Sequence, residues 1–417
     1  MKKVILTMCV IGAAMGLCIG GPARAEEKAL VGEECAGEEA SVVEVQPVIE
    51  MPVPVKKPLV QMAILLDTSG SMSGLIDQAR AELWAIVNEF IFARRGGLEP
   101  EVQVALYEYG KSSLSSKVGF IRQIVPFTLD LDKVSEELFA LKTNGGSEYC
   151  GWVIQEATKS LKWSGEPDDL KVIFIAGNEE FTQGPVDYRK SCKAAIAKGI
   201  VVNTLHCGSD SAGLSGKWKD GALLADGKYV CINHNRQIVH VAAPQDKEIA
   251  VLGLRLNDTY ITYGESGQLY YERQSSQDHN ASGLSKEAEL QRAVAKASFN
   301  YRNDNWDLVD ALKNETVKLE EVKVEDLPEN MRKMSEKERR AYVESQAKLR
   351  ADVQQKIQKL NEKRKKYVAA EMKKRQKDGD SLGSAITKAV REQAKKRNFT
   401  FEHCGEKTKD TENSSSK

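Results

Sequence analysis

Leu59-Val60-Gln61-Met62-Ala63-Ile64-Leu65-Leu66-Asp67-Thr68-Ser69-Gly70-Ser71-Met72-Ser73-Gly74 decides how this chain folds, because a nearly continuous apolar run stops abruptly at an acid. Residues 59 to 66 have the composition of a strand covered on both faces, as parallel sheets require. In an open parallel sheet, ligands collect in the crevice beyond the carboxyl ends of the strands, and Asp67 falls on that rim. Asp67, Ser69 and Ser71 offer one carboxylate and two hydroxyls at i, i+2 and i+4, which a curled loop turns toward one point. They are hard oxygen donors with no His or Cys among them, so they suit Mg²⁺, Mn²⁺ or Ca²⁺ rather than zinc or copper. A single acid leaves most of a cation's charge unneutralised. A carboxylate of a partner protein can then complete the shell, which is the logic of a binding site. The plainer reading is that Ser69 or Ser71 N-caps the helix that starts near Ser73.

Outward from this stretch, strands and helices alternate. Further strands are read at 102–109, 119–127 (an edge strand), 171–176, 200–206 and 228–232. Helices are read at 75–93, 131–141, 149–163, 187–198 and 245–256, the first with Leu75, Ala79, Leu83, Ile86, Val87 and Phe90 on one face. Such alternation predicts an α/β fold with a doubly wound, mostly parallel sheet.

An Asp-x-Ser-x-Ser loop at the end of a buried strand resembles the start of the metal-ion-dependent adhesion site of von Willebrand factor type A domains, and the resemblance covers roughly residues 56 to 264. It implies that Asp67, Ser69 and Ser71 are the first metal-binding group. The family adds a Thr in a Gly-Gly-Thr context from a later loop. Here Asn144-Gly145-Gly146-Ser147 matches, so Ser147 takes that position and keeps the hydroxyl, with Thr143 as a nearby second candidate. After the next strand, where the family has Thr-Asp-Gly, this chain reads Ala176-Gly177-Asn178-Glu179. The second acid is missing from its usual place. Glu179 or Glu148 can supply an oxygen instead, directly or through a bound water. Phe174 to Tyr188, together with Thr143 to Gly151, look like an exported bacterial branch of these proteins.

Other apparent motifs fail on inspection. Tyr109-Gly110-Lys111-Ser112 ends like a phosphate-binding loop, but Ala105 stands where the first Gly is needed. Gly70 to Gly74 has Met72 at the centre, which rules out a nucleophile elbow. The five histidines, at 206, 234, 240, 279 and 403, show no metal-ligand spacing. A metal-assisted hydrolase on the same rim lacks a recognisable general base and a second metal group. The chain is therefore read as non-enzymatic.

Lys2 and Lys3, the apolar stretch Val4 to Ile19 and Ala23-Arg24-Ala25 have the pattern of a secretory leader cut after Ala25, which predicts a periplasmic or secreted protein without a transmembrane segment. Of eight Cys, six lie beyond the leader: Cys35, Cys150, Cys192, Cys207, Cys231 and Cys404. Export permits disulfides, and Cys207 with Cys231 is the first expected pair; Cys150 to Cys192 or Cys207, and buried free thiols, are the alternatives.

The 60 Lys and Arg balance the 60 Asp and Glu, but unevenly along the chain. Residues 26–55 are expected to be an acidic disordered linker, with eight Glu against one Lys in 26–50. The type A domain is assigned to 56–264, a polar linker to 265–285, a helical extension to 286–401 and a disordered tail to 402–417. Within the extension, 329–378 has neither Pro nor Gly, and 328–378 carries 17 basic against eight acidic residues. Tyr342, Leu349, Val353, Ile357, Leu360 and Tyr367 form one stripe, interrupted by Gln346, Lys356 and Arg364, which predicts a long basic helix or coiled coil. Self-association through that stripe, contact with an anionic envelope surface and a solvated helix all remain open, while export argues against nucleic acid. Two functions follow: capture of an acidic group on an unknown protein ligand through a divalent cation, or a structural scaffold with a degenerate metal site that acts through its basic helical arm.

Overall fold

The computed structural model describes residues 56–233, 235, 240–374 and 382–401. The chain divides into two units, Met1–Pro54 and Val55–Lys417, and every described residue belongs to the second. The leader, the whole acidic stretch, the tail, Cys35 and Cys404 lie outside the described residues.

In chain order the sheet strands and helices of the first half are β1 (Leu59–Asp67), α1 (Ser73–Asn88), β2 (Ala93–Arg94), β3 (Glu101–Tyr109), β4 (Ile121–Thr128), α2 (Leu131–Ala140), α3 (Cys150–Ser160), β5 (Leu170–Gly177), α4 (Tyr188–Ala197), β6 (Val201–Cys207), α5 (Asp210–Ser215), α6 (Trp218–Leu223), β7 (Tyr229–Ile232) and α7 (Asp246–Arg255). The six-stranded sheet runs β4-β3-β1-β5-β6-β7. Every neighbouring pair is parallel except β3 with β4, which is antiparallel, so the predicted edge strand closes one side. From β1 the chain moves first to one side, to β3, and later to the other, to β5. That reversal opens a crevice at the carboxyl ends of β1 and β5, the standard ligand position of such sheets.

Alternation along β1 explains its continuous apolar character. Val60, Met62, Ile64 and Leu66 face α1, α2 and a late helix on one side, while Ala63 and Leu65 face α3, α4 and α6 on the other. All six are buried, and each large side chain contributes about 1.5–3 kcal/mol by leaving water.

The second half adds α8 (Gly267–Leu284), α9 (Lys286–Lys296), α10 (Leu308–Lys313), α11 (Glu329–Arg332), α12 (Glu336–Lys374), α13 (Leu382–Lys395) and β8 (Thr400–Phe401). Residues 265–285, expected as a linker, are mostly the helix α8. Its inward side chains include Gln274 and Gln277 rather than an apolar stripe, and they hydrogen-bond to Asn257, Asp278 and Ser135. A helix buried through amides carries no hydrophobic period to read.

The boundary at 264 also shifts in meaning. Leu382, Ile386, Ala389 and Val390 of α13 share the core of β1 and α1, and β8 pairs antiparallel with β2. The sheet is thus covered on one face by a helix some 300 residues downstream of β1. The long helix α12 lies along the unit: Val353 and Ile357 are buried with Leu349 and Leu360 against α7 and α9, and Tyr342 packs in a second cluster with α10. Of the predicted stripe only Tyr367, at 39%, is exposed. Arg364, which interrupts the stripe, is buried and ion-paired with Asp246 and Glu287. Among the described residues, no helix is long and apolar enough to cross a membrane.

Candidate metal centre

Asp67 ends β1, fully buried, and its Oδ1 accepts the Ser69 N–H at 2.7 Å. Its Oδ2 is buried with no hydrogen-bond partner among the described residues. The turn that follows is pinned from below, because the Thr68 N–H donates to the Tyr109 carbonyl at 2.9 Å and its hydroxyl to Glu108 at 3.2 Å.

The loop predicted to bring Ser147 arrives at this turn. The Asn144 N–H donates to the Thr68 carbonyl at 3.0 Å, and the Ser112 hydroxyl bonds the Asn144 side chain. A Cβ at Gly146 would lie 1.7 Å from the Gly110 carbonyl oxygen, so only glycine allows the two loops to meet this closely. Ser147 is half-buried there, and the Glu148 carboxylate after it is driven inward, 5% exposed, with its backbone N–H donating to Gln183 at 3.0 Å. A Cβ at Gly110 would touch both acids, 2.8 Å from Glu148 Cγ and 2.9 Å from Asp67 Oδ1, which places the two carboxylates on either side of one glycine.

Burial dominates the electrostatics. It lifts the Asp67 carboxyl to about 7 against hydrogen bonds from Ser69, and Glu179 adds to the rise. Burial likewise lifts Glu148 to about 7, followed by repulsion from Asp67 and Glu179. The Ser69 side chain opposes the rise at both carboxyls. Neither acid is ion-paired with a basic side chain among the described residues. A concentration of negative charge with an orphaned buried oxygen and flanking hydroxyls fits a hard divalent cation.

The remaining predicted residues fall as follows. Ser71 is exposed and accepts a hydrogen bond from Asn178 Nδ2 at 3.3 Å, which joins the β1 and β5 loops. Glu179 is exposed at the edge, and its carbonyl accepts from Trp218 Nε1 at 2.7 Å. Thr143 is half-buried and its hydroxyl makes no hydrogen bond among the described residues. No group of three or more His, Cys, Asp or Glu side chains is placed to hold a metal among the described residues, so the hydroxyls are essential to any cation reading.

Gly177 has a physical reason that sequence did not reveal. A Cβ there would stand 2.5 Å from the Tyr109 hydroxyl and 3.1 Å from Asp67 Oδ2. The Tyr109 hydroxyl donates to the Ala176 carbonyl at 3.0 Å and occupies the space a side chain at 177 needs. The expected Cys207–Cys231 disulfide is corrected: both are free thiols, as are Cys150 and Cys192. Cys207 registers with Ile232 and Cys231 with His206, so the two cysteines point to opposite faces of the sheet and cannot bond.

The strand order, the antiparallel edge and the Asp67 loop at the crevice define an α/β domain of von Willebrand factor type A architecture. No family model and no curated protein matches the chain. Among solved structures it is similar to the protein BatB from Bacteroides thetaiotaomicron, at 17% identity over 42% of this chain and 90% of that one, with a TM-score of 0.33. It is also similar to the SpRpn10 VWA domain, at 17% identity over 44% of this chain and 100% of that one, with a TM-score of 0.30. A third is mussel byssus proximal thread matrix protein 1 with a zinc-occupied MIDAS motif, at 11% identity over 43% of each chain, with a TM-score of 0.33. Likeness at this level bears on neither ligand nor partner.

Proposed function

We propose that this chain is an exported, non-enzymatic binding domain that captures an acidic group of a protein partner through a divalent cation on the sheet rim. The observation that carries the reading is the pair of buried carboxylates, Asp67 and Glu148, on either side of Gly110, with Asp67 Oδ2 unpartnered among the described residues. Asp67, Ser69, Ser71 and Ser147 would hold the cation, with Glu148 as the second acid in place of the residue missing at 177. Glu179 is the weaker candidate because it is exposed. Bound Mg²⁺, Mn²⁺ or Ca²⁺ supplies positive charge on which a partner's carboxylate can sit. The chain's own residues orient the donors, shield them from water and leave one side open to solvent at Ser71.

Calorimetric titration of the mature protein with Mg²⁺ tests this, beside Asp67→Ala, Glu148→Gln and Glu179→Gln. One-site heat is expected, lost in Asp67→Ala, weakened in Glu148→Gln and kept in Glu179→Gln; equal heats in wild type and Asp67→Ala end the proposal. Export is checked by finding Glu26 as the first residue of the mature protein.

The scaffold reading keeps one supporting feature, the exposed basic residues of α12 such as Lys348, Lys356, Lys359 and Lys363. Because the apolar side of α12 is packed on α7, α9 and α10, these residues extend the surface of the unit rather than forming a free arm.

A further inference from the structure

Beside the two carboxylates, the rim carries aromatic surface that the core does not use. Tyr149 directly follows Glu148, and its ring is parallel within 3° to that of Trp152, with centroids 6.3 Å apart. Phe120 meets Tyr149 edge-on at 5.6 Å. All three rings are half-buried, and Val118, two residues before Phe120, is 52% exposed. Trp152 touches the edge of one apolar cluster, whereas Phe120 and Tyr149 belong to none of the four.

The loop that presents Phe120 is also held in an unfavourable form. Phe120 has φ +56°, and of the five non-glycine described residues with positive φ it is the only apolar one. For a bulky residue that conformation is unfavourable and persists only where surrounding contacts enforce it. The contacts here lead back to the cation site. Gly110, which separates Asp67 from Glu148, donates its N–H to the Phe120 carbonyl at 3.1 Å, and a Cβ at Gly119 would lie 2.6 Å from the Trp152 ring. Lys117 in the same loop is exposed and makes no ion pair among the described residues, which favours an acidic approach.

We infer that Phe120, Tyr149 and Trp152 form an apolar subsite continuous with the cation site, which accepts an aromatic side chain next to the captured carboxylate. This deepens, and rests on, the cation reading above. The partner is then an extended peptide segment in which Asp or Glu neighbours Phe, Tyr or Trp. Aromatic side chains bury large areas and pair with offset or edge-on rings, so the subsite supplies the specificity that a bare cation lacks.

The test uses the full mature chain, saturated with Mg²⁺, and blocked tripeptides Gly-Asp-Gly, Gly-Asp-Phe, Phe-Asp-Gly and Gly-Asn-Phe, with tryptophan fluorescence and calorimetry as readouts. At least one aspartyl-phenylalanine peptide is expected to bind about tenfold or more tighter than Gly-Asp-Gly and to change the fluorescence, with Gly-Asn-Phe weak. Phe120→Gly, which also relieves the positive φ, and Tyr149→Ala should remove that preference while leaving Mg²⁺ heat intact. Equal affinity for all the aspartyl peptides, no peptide binding, or a preference that survives both substitutions overturns the subsite. A sugar such as glucose that binds this platform in place of the peptides overturns it as well. Absence of Mg²⁺ heat overturns the cation reading and the subsite together, whereas Mg²⁺ binding without peptide preference overturns the subsite alone.

Discussion

Two regions of this molecule bury carboxylates to a similar depth and treat them in opposite ways. In the helical layer several deeply buried acids meet buried bases: Asp132 and Asp278 pair with Arg292 at the junction of α2, α8 and α9, Lys296 joins Asp278 at 2.7 Å, and Asp307 pairs with Arg350 at 2.5 Å. Burial would raise Asp278, but Arg292 and Lys296 outweigh it and hold the carboxyl at about 2. On the rim, burial has no such opponent, and Asp67 rises to about 7. The helical layer is locked by internal compensation. The rim is left with charge that only something from outside can satisfy, which is the physical signature of a binding site.

The largest effect should come from breaking compensation where it is complete. Arg350→Ala strands Asp307, which is fully buried, and removes bonds to the Thr259 carbonyl and hydroxyl and to Asp310; a loss of about 3–5 kcal/mol is expected in urea unfolding. A loss below about 1 kcal/mol would erase the distinction between the regions.

A smaller but sharper effect is expected at Gly177. Gly177→Asp, which places an acid at this position, should cost about 1–3 kcal/mol because its Cβ meets the Tyr109 hydroxyl, and Tyr109→Phe in the same chain should recover part of that loss. Thermal unfolding of the two variants decides whether Tyr109 is what excludes the acid.

The pH dependence separates the regions by sign. Asp278 is depressed, so its contribution is present above the unfolded value near 3.8 and is lost as pH falls toward about 2. Asp67 is raised, so the unfolded chain releases its proton first and metal-free stability falls as pH rises from about 3.8 to 7. Mg²⁺ at about 100 times its dissociation constant should return about 2.7 kcal/mol at pH 8. Melting curves at pH 5 and 8, with and without Mg²⁺, measure this; an absent Mg²⁺ effect at pH 8 counts against the rim being a cation site.

The smallest effect is the most diagnostic in sign. Asp67→Asn keeps an acceptor for the Ser69 N–H but removes the uncompensated charge, so the metal-free variant at pH 8 should be as stable as the parent or about 1 kcal/mol more stable. It should gain nothing from Mg²⁺. Destabilisation would mean that Asp67 acts as a structural cap.

Much of the sheet was legible because period and burial coincide: β1 is apolar apart from Gln61 and the terminal Asp67, since both of its faces are covered by helices. The glutamine-lined α8 was not, because amides bury without leaving a period. The disulfide failed on register, which places Cys207 and Cys231 one position out of step. Asp67, Ser69 and Ser71 could be proposed as donors from spacing alone, because they lie within one loop. The choice between Glu148 and Glu179 was not, because it depends on which of two distant loops turns inward.

By itself, then, the sequence determined the α/β alternation, the acid at the end of its central strand and the hydroxyls after it, since these follow from local period and from donors within five residues. Only the tertiary structure decided that Glu148 is the second buried acid, that Tyr109 excludes a side chain at 177 and that α13 closes the sheet. Each depends on segments far apart in the chain competing for one volume, and a linear pattern carries no record of who occupies it.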